Sequence, residues 1–382
     1  LDKKMIFDGH AYTFPSLKGN GEFDTPEQLQ RHLQQAIGAH HQPPINVRNG
    51  SPGDNSDLID MANWPSLDSL KACNFRTASN GRFEWTANGQ DYCKQYFPPL
   101  VTDMEYTADR LVAEMDYAGV SQALLHRTPY LGVGNKFISE CVSQFPDRLK
   151  GLAHVEEWLI APDPEGSLAK VEWAIKDGGL SGLHFLPPQM NLYNQSGPWD
   201  SPECRPFWDG FAKLGVPVFF SVKERVEPRM DSMLDEMKTL IRWIERYPDV
   251  KVVITHGVQW RLFMDENGIN FPEEIWAPFK SPNVYQQFLF PIALGAIWEY
   301  PMHQVHSAIE ECVRRIGANR IMWGTDMPIV MRFWTYKQNI EFITRHCDFL
   351  SKEEADLIMG GTVAKLLGVD WPESGSGHSV TG

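Results

Sequence analysis

No stretch of this chain is apolar for long enough to cross a bilayer, and its first residues, Leu1-Asp-Lys-Lys, lead into no secretory h-region. Positive charge is scarce: 35 Lys and Arg stand against 49 Asp and Glu, for a formal net charge of −14. The Lys and Arg never gather into a run, which excludes nucleic acid and anionic membrane as expected partners. Six cysteines (Cys73, Cys93, Cys141, Cys204, Cys312 and Cys347) form no C-x-x-C pair. That excludes a zinc ribbon, a redox dithiol and a disulfide scaffold, and leaves reduced, buried thiols. The expectation is a cytoplasmic protein that handles a small molecule, with a homo-oligomer left open.

What the sequence does contain is a large core: 382 residues with 42% hydrophobic content suit one α/β barrel with insertions as well as two ordinary domains. Rhythm chooses between them. After Pro99, helix and strand patterns alternate: helix 109–117, strand 121–125, helix 135–145, strand 149–153, helix 166–177, strand 180–183, helix 206–214 and strand 216–220. Helix 233–247 follows, then strands 251–255 and 284–290, helix 303–316, strand 320–323, and helices near 335–346, 352–359 and 362–367. With Met5-Ile6-Phe7 as a first strand, eight strands predict a (β/α)8 TIM barrel over residues 1–371, with 372–382 a disordered tail. Residues 19–99 are too long for a barrel loop and too aromatic for a linker. With Trp64, Phe75, Phe83, Trp85, Tyr92, Tyr96 and Phe97 to pack, they read as a cap inserted after strand one, or as a peripheral or dimer-forming elaboration. Its helical pieces are expected at 25–38 and 57–73.

Titratable groups stand where the strands end: Asp8 and His10, His126, His154, His184, His256 and Asp326, with Ser221 after strand five. A barrel presents its chemistry at that end of its strands. An acid and an imidazole two apart on a strand point the same way, which suits a divalent ion, although Asp8-Gly9 alone also reads as a turn.

These motifs resemble the amidohydrolase superfamily, in the branch that contains aminocarboxymuconate-semialdehyde decarboxylase, resorcylate-type decarboxylases and several lactonases. The resemblance rests on Asp8-Gly-His10, Phe145-Pro-Asp-Arg148, Gly215-Val-Pro217, Thr255-His256-Gly257, Gly324-Thr-Asp326-Met-Pro328 and Gly360-Gly-Thr-Val-Ala-Lys-Leu-Leu, in that order. It implies a divalent metal, commonly zinc or manganese, held by two groups after strand one, a His after strand five and the Asp after strand eight, with the strand-six His close to the chemistry. His10, His256 and Asp326 match that pattern. Two positions depart: Tyr12 stands where one form of the first motif has a second His, and Ser221 stands where the ligand His of strand five belongs. The expected repair is a site of Asp8, His10, His184 and Asp326, with a metal-free site as its rival.

Asp326 and His256 are the expected catalytic pair, with Tyr12, Ser221, Lys223, Arg225 and Arg127 toward the substrate. Hydrolysis of a small carboxylated aromatic or cyclic compound, by metal- or carboxylate-activated water, is the first expectation. Non-oxidative decarboxylation of an aromatic or muconate-type acid is the alternative, and a barrel that only binds a ligand is a third.

Overall fold

The computed structural model describes residues 5–194, 197–222, 230–266 and 268–372. Lys223, Arg225 and the tail beyond residue 372 lie outside the described residues. Eight short parallel strands form the centre: β1 (Phe7–Ala11), β2 (Gln122–Leu125), β3 (Leu149–Gly151), β4 (Leu183–Phe185), β5 (Val218–Phe220), β6 (Val252–Ile254), β7 (Val284–Phe288) and β8 (Ile321–Trp323). β1, β2 and β3 pair in order, as do β4 to β8. Parallel bridges from Ala153 to Leu183 and from Ala11 to Met327 join the two arcs and close the barrel. Helices Ala108–Ala118, Asn135–Gln144, Pro164–Lys176, Arg205–Ala212, Met230–Arg246 and His306–Ile316 lie between the strands.

Inside the barrel, Phe7, Leu124, Leu152, Phe219, Val253 and Met322 form one buried layer, closed from below by Val363 and Ala364 of the helix Thr362–Leu367. Each such side chain contributes about 1.5–3 kcal/mol by leaving water. The layer makes that end of the barrel solid and leaves the other end for polar groups. All six cysteines are free and buried. Among the described residues no helix is long and apolar enough to cross a membrane.

The insertion departs from expectation in two places. Helix Pro26–Ala39 forms as its sequence requires: Thr25 caps it, Gln28 returns the hydrogen bond, and Leu29, Leu33 and Ile37 line its buried stripe. The helix expected over 57–73 is instead three single 3-10 turns, Asn55–Asp57, Met61–Asn63 and Leu67–Ser69. Asp54, Asp60 and Ser66 each accept a backbone N–H two residues on, so each restarts a turn where a helix would have to continue. Pro65, without an N–H, adds a further break. The insertion also carries a four-stranded antiparallel sheet in the order 45–46, 90–95, 82–87, 76–77. Its central hairpin turns at Asn88-Gly89, both at positive φ (51° and 73°), the geometry that a two-residue hairpin needs. Phe83 and Trp85 of this sheet, and Phe97 just beyond it, belong to the same core as Phe14 and Tyr106 beside the barrel.

Candidate active site

A bulge in β1 decides what the first motif can do. Asp8 pairs with Ala123 and Ala11 with Leu125, so three steps along β1 match two along β2. The extra residue breaks the two-residue alternation. Phe7 and His10 therefore face the barrel interior while Asp8 faces its wall. There Asp8 accepts hydrogen bonds from the backbone N–H groups of His10 and Thr325, both at 3.0 Å, the Thr325 hydroxyl at 2.5 Å and the Tyr336 hydroxyl at 2.7 Å. Burial raises its pKa to about 6, against the opposing pull of those donors. The structure thus sets Asp8 apart from His10, with its oxygens already engaged.

His10 meets two other groups at the mouth. Its Nε2 lies 3.2 Å from Asp326 Oδ1, and His256 Nε2 lies 3.1 Å from the same oxygen. His10, His256 and Asp326 each offer a ligand atom within 4.8 Å of the others. His256 and Asp326 both hold left-handed backbone conformations (φ 60° and 73°), which non-glycine residues adopt only where their surroundings require it. Asp326 N donates to His10 O at 2.7 Å, tying the turn after β8 to β1. Burial alone would raise the Asp326 carboxyl, but hydrogen bonds and charge from His10 and His256 outweigh it and hold the group below the usual carboxylate range.

Gln287 of β7 orients the cluster. Its Nε2 donates to Gly9 O at 2.7 Å, so its Oε1 faces His10 Nδ1 at 2.9 Å and accepts that nitrogen's proton. With Nδ1 bound to Gln287, the other ring nitrogen, Nε2, is the one turned toward the Asp326 carboxylate. A ring nitrogen and a carboxylate oxygen 3.2 Å apart share a cation between them, either a proton or a metal. The donor set fits a metal: two imidazoles and a carboxylate match a three-ligand catalytic zinc site, and the nitrogen–oxygen spacings approach the ~3.3 Å edge of a tetrahedron with ~2.0 Å bonds. His126 stacks on His10 with ring centroids 3.5 Å apart and contacts Gly9 O through Nε2 at 3.0 Å. Tyr12 OH approaches His10 Nε2 at 3.0 Å, so Tyr12 rather than Asp8 shares the site with His10.

The other expected groups lie elsewhere. β4 runs through His184 rather than stopping before it, and the ring lies across the mouth with its centroid 6.2 Å from that of His10. Its Nδ1 contacts Arg127 O at 2.5 Å and its Nε2 contacts the Ser221 hydroxyl at 3.0 Å, which places His184 outside the three-ligand group. Ser221 therefore holds His184. Arg127 turns away from the mouth and lies over the Phe137 ring at 5.8 Å, fully buried. His154 is buried on the β3 side, its backbone N–H donating to Asn135 Oδ1.

The sequence matches the Amidohydrolase family model over residues 86–369. The chain belongs to the amidohydrolase family. No curated protein matches the sequence. Solved structures similar to this amidohydrolase share its fold. 5-Carboxyvanillate decarboxylase from Sphingomonas paucimobilis is 17% identical, with a TM-score of 0.52 over 70% of this chain and 84% of that one. 2,6-Dihydroxybenzoate decarboxylase from Rhizobium is 15% identical, with a TM-score of 0.52 over 69% and 89%. A probable 2-pyrone-4,6-dicarboxylic acid hydrolase from Acinetobacter baumannii is 19% identical, with a TM-score of 0.52 over 70% and 90%.

Sequence reading missed Gln287, which holds His10, and also Tyr96, Tyr130 and Arg332, which lie within reach of the Asp326 charge. Gln287 sits inside a strand with no motif around it. Tyr96 reads from sequence as part of the cap with no partner, and its hydrogen bond to Tyr130 (2.9 Å) and the Arg332 guanidinium over its ring show where it faces.

Proposed function

We propose that this amidohydrolase is a metal-dependent, non-oxidative decarboxylase of a hydroxylated aromatic or muconate-type acid. The observation that carries the reading is the convergence of His10, His256 and Asp326, with Tyr12 at His10 Nε2 (3.0 Å) and the contacting group Tyr130, Tyr96 and Arg332 within reach of the Asp326 charge. A divalent ion, zinc on this donor set with manganese the alternative, supplies when bound a positive focus for the substrate carboxylate and a neighbouring hydroxyl. His10 and Asp326 are the residues that would hold it, with His256 as the third donor or as the proton carrier.

Asp326 is held as a carboxylate well below neutral pH, and a weak base is poorly matched to pulling a proton from water unaided. That disfavours the hydrolysis first expected, in its metal-free form. His256 Nε2, held against Asp326 Oδ1, is placed to keep a proton and deliver it. In the reaction the ring carbon–carboxylate bond breaks, its electron pair stays on the ring carbon, and the proton forms the new carbon–hydrogen bond as carbon dioxide leaves. Tyr12, its hydroxyl at His10 Nε2, is the hydroxyl nearest to hand for orienting a substrate group at the cluster. Two of the structural relatives are named as decarboxylases of hydroxylated aromatic acids, which makes this the chemistry to test first.

Hydrolysis remains the second reading, because three protein ligands leave a fourth position for water. Zinc- or manganese-loaded protein should be offered a panel of hydroxybenzoic acids and carboxylated lactones in oxygen-18 water. Carbon dioxide release with deuterium uptake at the ring carbon in heavy water supports decarboxylation. Oxygen-18 in the product without carbon dioxide assigns hydrolysis.

A further inference from the structure

Arg332 ends the single turn Ile329–Arg332 that follows Asp326, and it occupies an unusual environment. Its guanidinium carbon lies 5.1 Å from the Tyr96 ring centroid and 5.3 Å from that of Phe333. Nε and Nη1 are buried and meet no hydrogen-bond partner among the described residues, and no carboxylate there pairs with the group. A half-buried guanidinium whose Nε and Nη1 are closed off from water against ring faces lacks what that donor edge is built to hold. Arg261, the neighbouring cation, is already engaged: its Nε donates to Ala293 O at 2.7 Å and its Nη2 meets His41 Nε2 at 3.1 Å. Of these two neighbouring cations, Arg332 is the one with donors left to recruit something.

Its position identifies the recruit. The turn that carries Arg332 starts on Asp326, whose carbonyl accepts from Ile329 N at 2.8 Å and Val330 N at 3.2 Å, and the contacts of Arg332 with Tyr96 and of Tyr96 with Tyr130 bring both tyrosines to the same side, within reach of the Asp326 charge. Tyr96 enters from the insertion directly after the strand Gln90–Gln95, and Tyr130 enters from the turn Pro129–Leu131 after β2. Their hydroxyls meet at 2.9 Å, so one proton of the pair is spent between them and the other stays available. Charge gives the stoichiometry. With a divalent ion at the cluster, Asp326 contributes one negative charge and Arg332 one positive, and the site as a whole is matched by a dianion.

The geometry points to Arg332, stacked on Tyr96 of the insertion, as the anchor for a second carboxylate on a flat ring, so that the substrate class is a planar dicarboxylate. This rests on the decarboxylase reading for the fate of the first carboxylate, but not for binding of the second. A planar fork takes a carboxylate through two parallel N–H donors, while the ring faces above and below exclude water from the pair. The insertion thereby takes part in substrate choice, through a tyrosine that supports the arginine.

The test uses the full chain, zinc-loaded and metal-free, titrated with isophthalate, benzoate and phenyl phosphate by calorimetry. Wild type is expected to bind isophthalate at least tenfold tighter than benzoate. Arg332→Gln should weaken isophthalate about 10–100-fold and leave benzoate within about threefold, because only the charged, bidentate contact is lost. Arg332→Lys should recover part of the loss. Tyr96→Phe should retain the stack and most of the affinity, and Tyr96→Leu should not; this pair reads the same contact if Arg332 variants fold poorly. Equal affinity for isophthalate and benzoate in wild type, an equal loss of both in Arg332→Gln, or a preference for phenyl phosphate would each overturn the proposal. Loss of the isophthalate preference in a protein that releases no carbon dioxide keeps the anchor and sinks the decarboxylase reading. Carbon dioxide release that survives with an unchanged isophthalate preference in Arg332→Gln does the reverse.

Discussion

Replacing Gln287 by leucine removes the group that sets the His10 tautomer while nearly preserving volume. Gln287 is fully buried, accepts from His10 Nδ1 at 2.9 Å and donates to Gly9 O at 2.7 Å. In the variant, Gly9 O keeps one partner, His126 Nε2 at 3.0 Å, so its loss is worth about 0.5–1.5 kcal/mol. His10 Nδ1–H is left buried with no acceptor, which costs about 1–3 kcal/mol. Metal-free protein should therefore lose roughly 2–4 kcal/mol in urea unfolding. Zinc affinity, measured by competition with a chelating dye, should fall about 10–100-fold, as it does when the outer partner of a ligand histidine is removed. Gln287→Glu restores an acceptor for Nδ1 but sets an oxygen against Gly9 O, so it should recover zinc affinity more fully than stability. Zinc affinity unchanged within about twofold in Gln287→Leu would refute the reasoning, because His10 would then be presenting Nε2 without help.

His184→Ala should retain bound zinc at the wild-type stoichiometry by metal analysis, since both His184 nitrogens are committed to Arg127 O and Ser221; an empty site in that variant would return His184 to the ligand set. His32, packed among Phe23, Trp158 and Tyr193, has its pKa lowered to about 3 by burial and then by the charge of Arg31. Between that value and the unfolded value near 6.5 the unfolded chain binds the extra proton, so its contribution to stability is present at pH 7 and lost on acidification, about 2 kcal/mol by pH 5. His32→Phe should remove that part of the pH slope in urea unfolding at pH 7 and 5, and an unaltered slope would show that the ring is not buried neutral. Gly132 has φ +109°, and a Cβ there would come 2.4 Å from Arg127 Nη2 and 2.6 Å from Gly21 O. Gly132→Ala should cost roughly 2–4 kcal/mol in thermal or urea unfolding, and a loss below ~0.5 kcal/mol would show that the packing around Arg127 yields freely.

Part of this was written locally in the chain. The apolar runs of β5, β6 and β8 are short, bounded by turn residues and spaced by amphipathic helices, and such patterns depend only on neighbours along the sequence. His10, His256 and Asp326 could be singled out because each follows or ends such a run, and a barrel places those positions at one mouth. What the sequence could not decide is which of two groups on one strand faces inward. Asp8 and His10 stand two positions apart, a spacing that ordinarily shares a face, and the bulge that divides them exists only because β1 must pair with β2, more than a hundred residues away. The same holds for His184, whose ring is committed by a carbonyl on β2's far side and a hydroxyl after β5. Gln287 gives no local sign of its task, since its partner His10 is 277 residues distant. Arg332 meets Tyr96 only because the insertion folds its sheet against the barrel. Identity and local period travel with the sequence; tautomer, facing direction and charge pairing arise from contacts between distant segments, and those come into being only when the barrel closes.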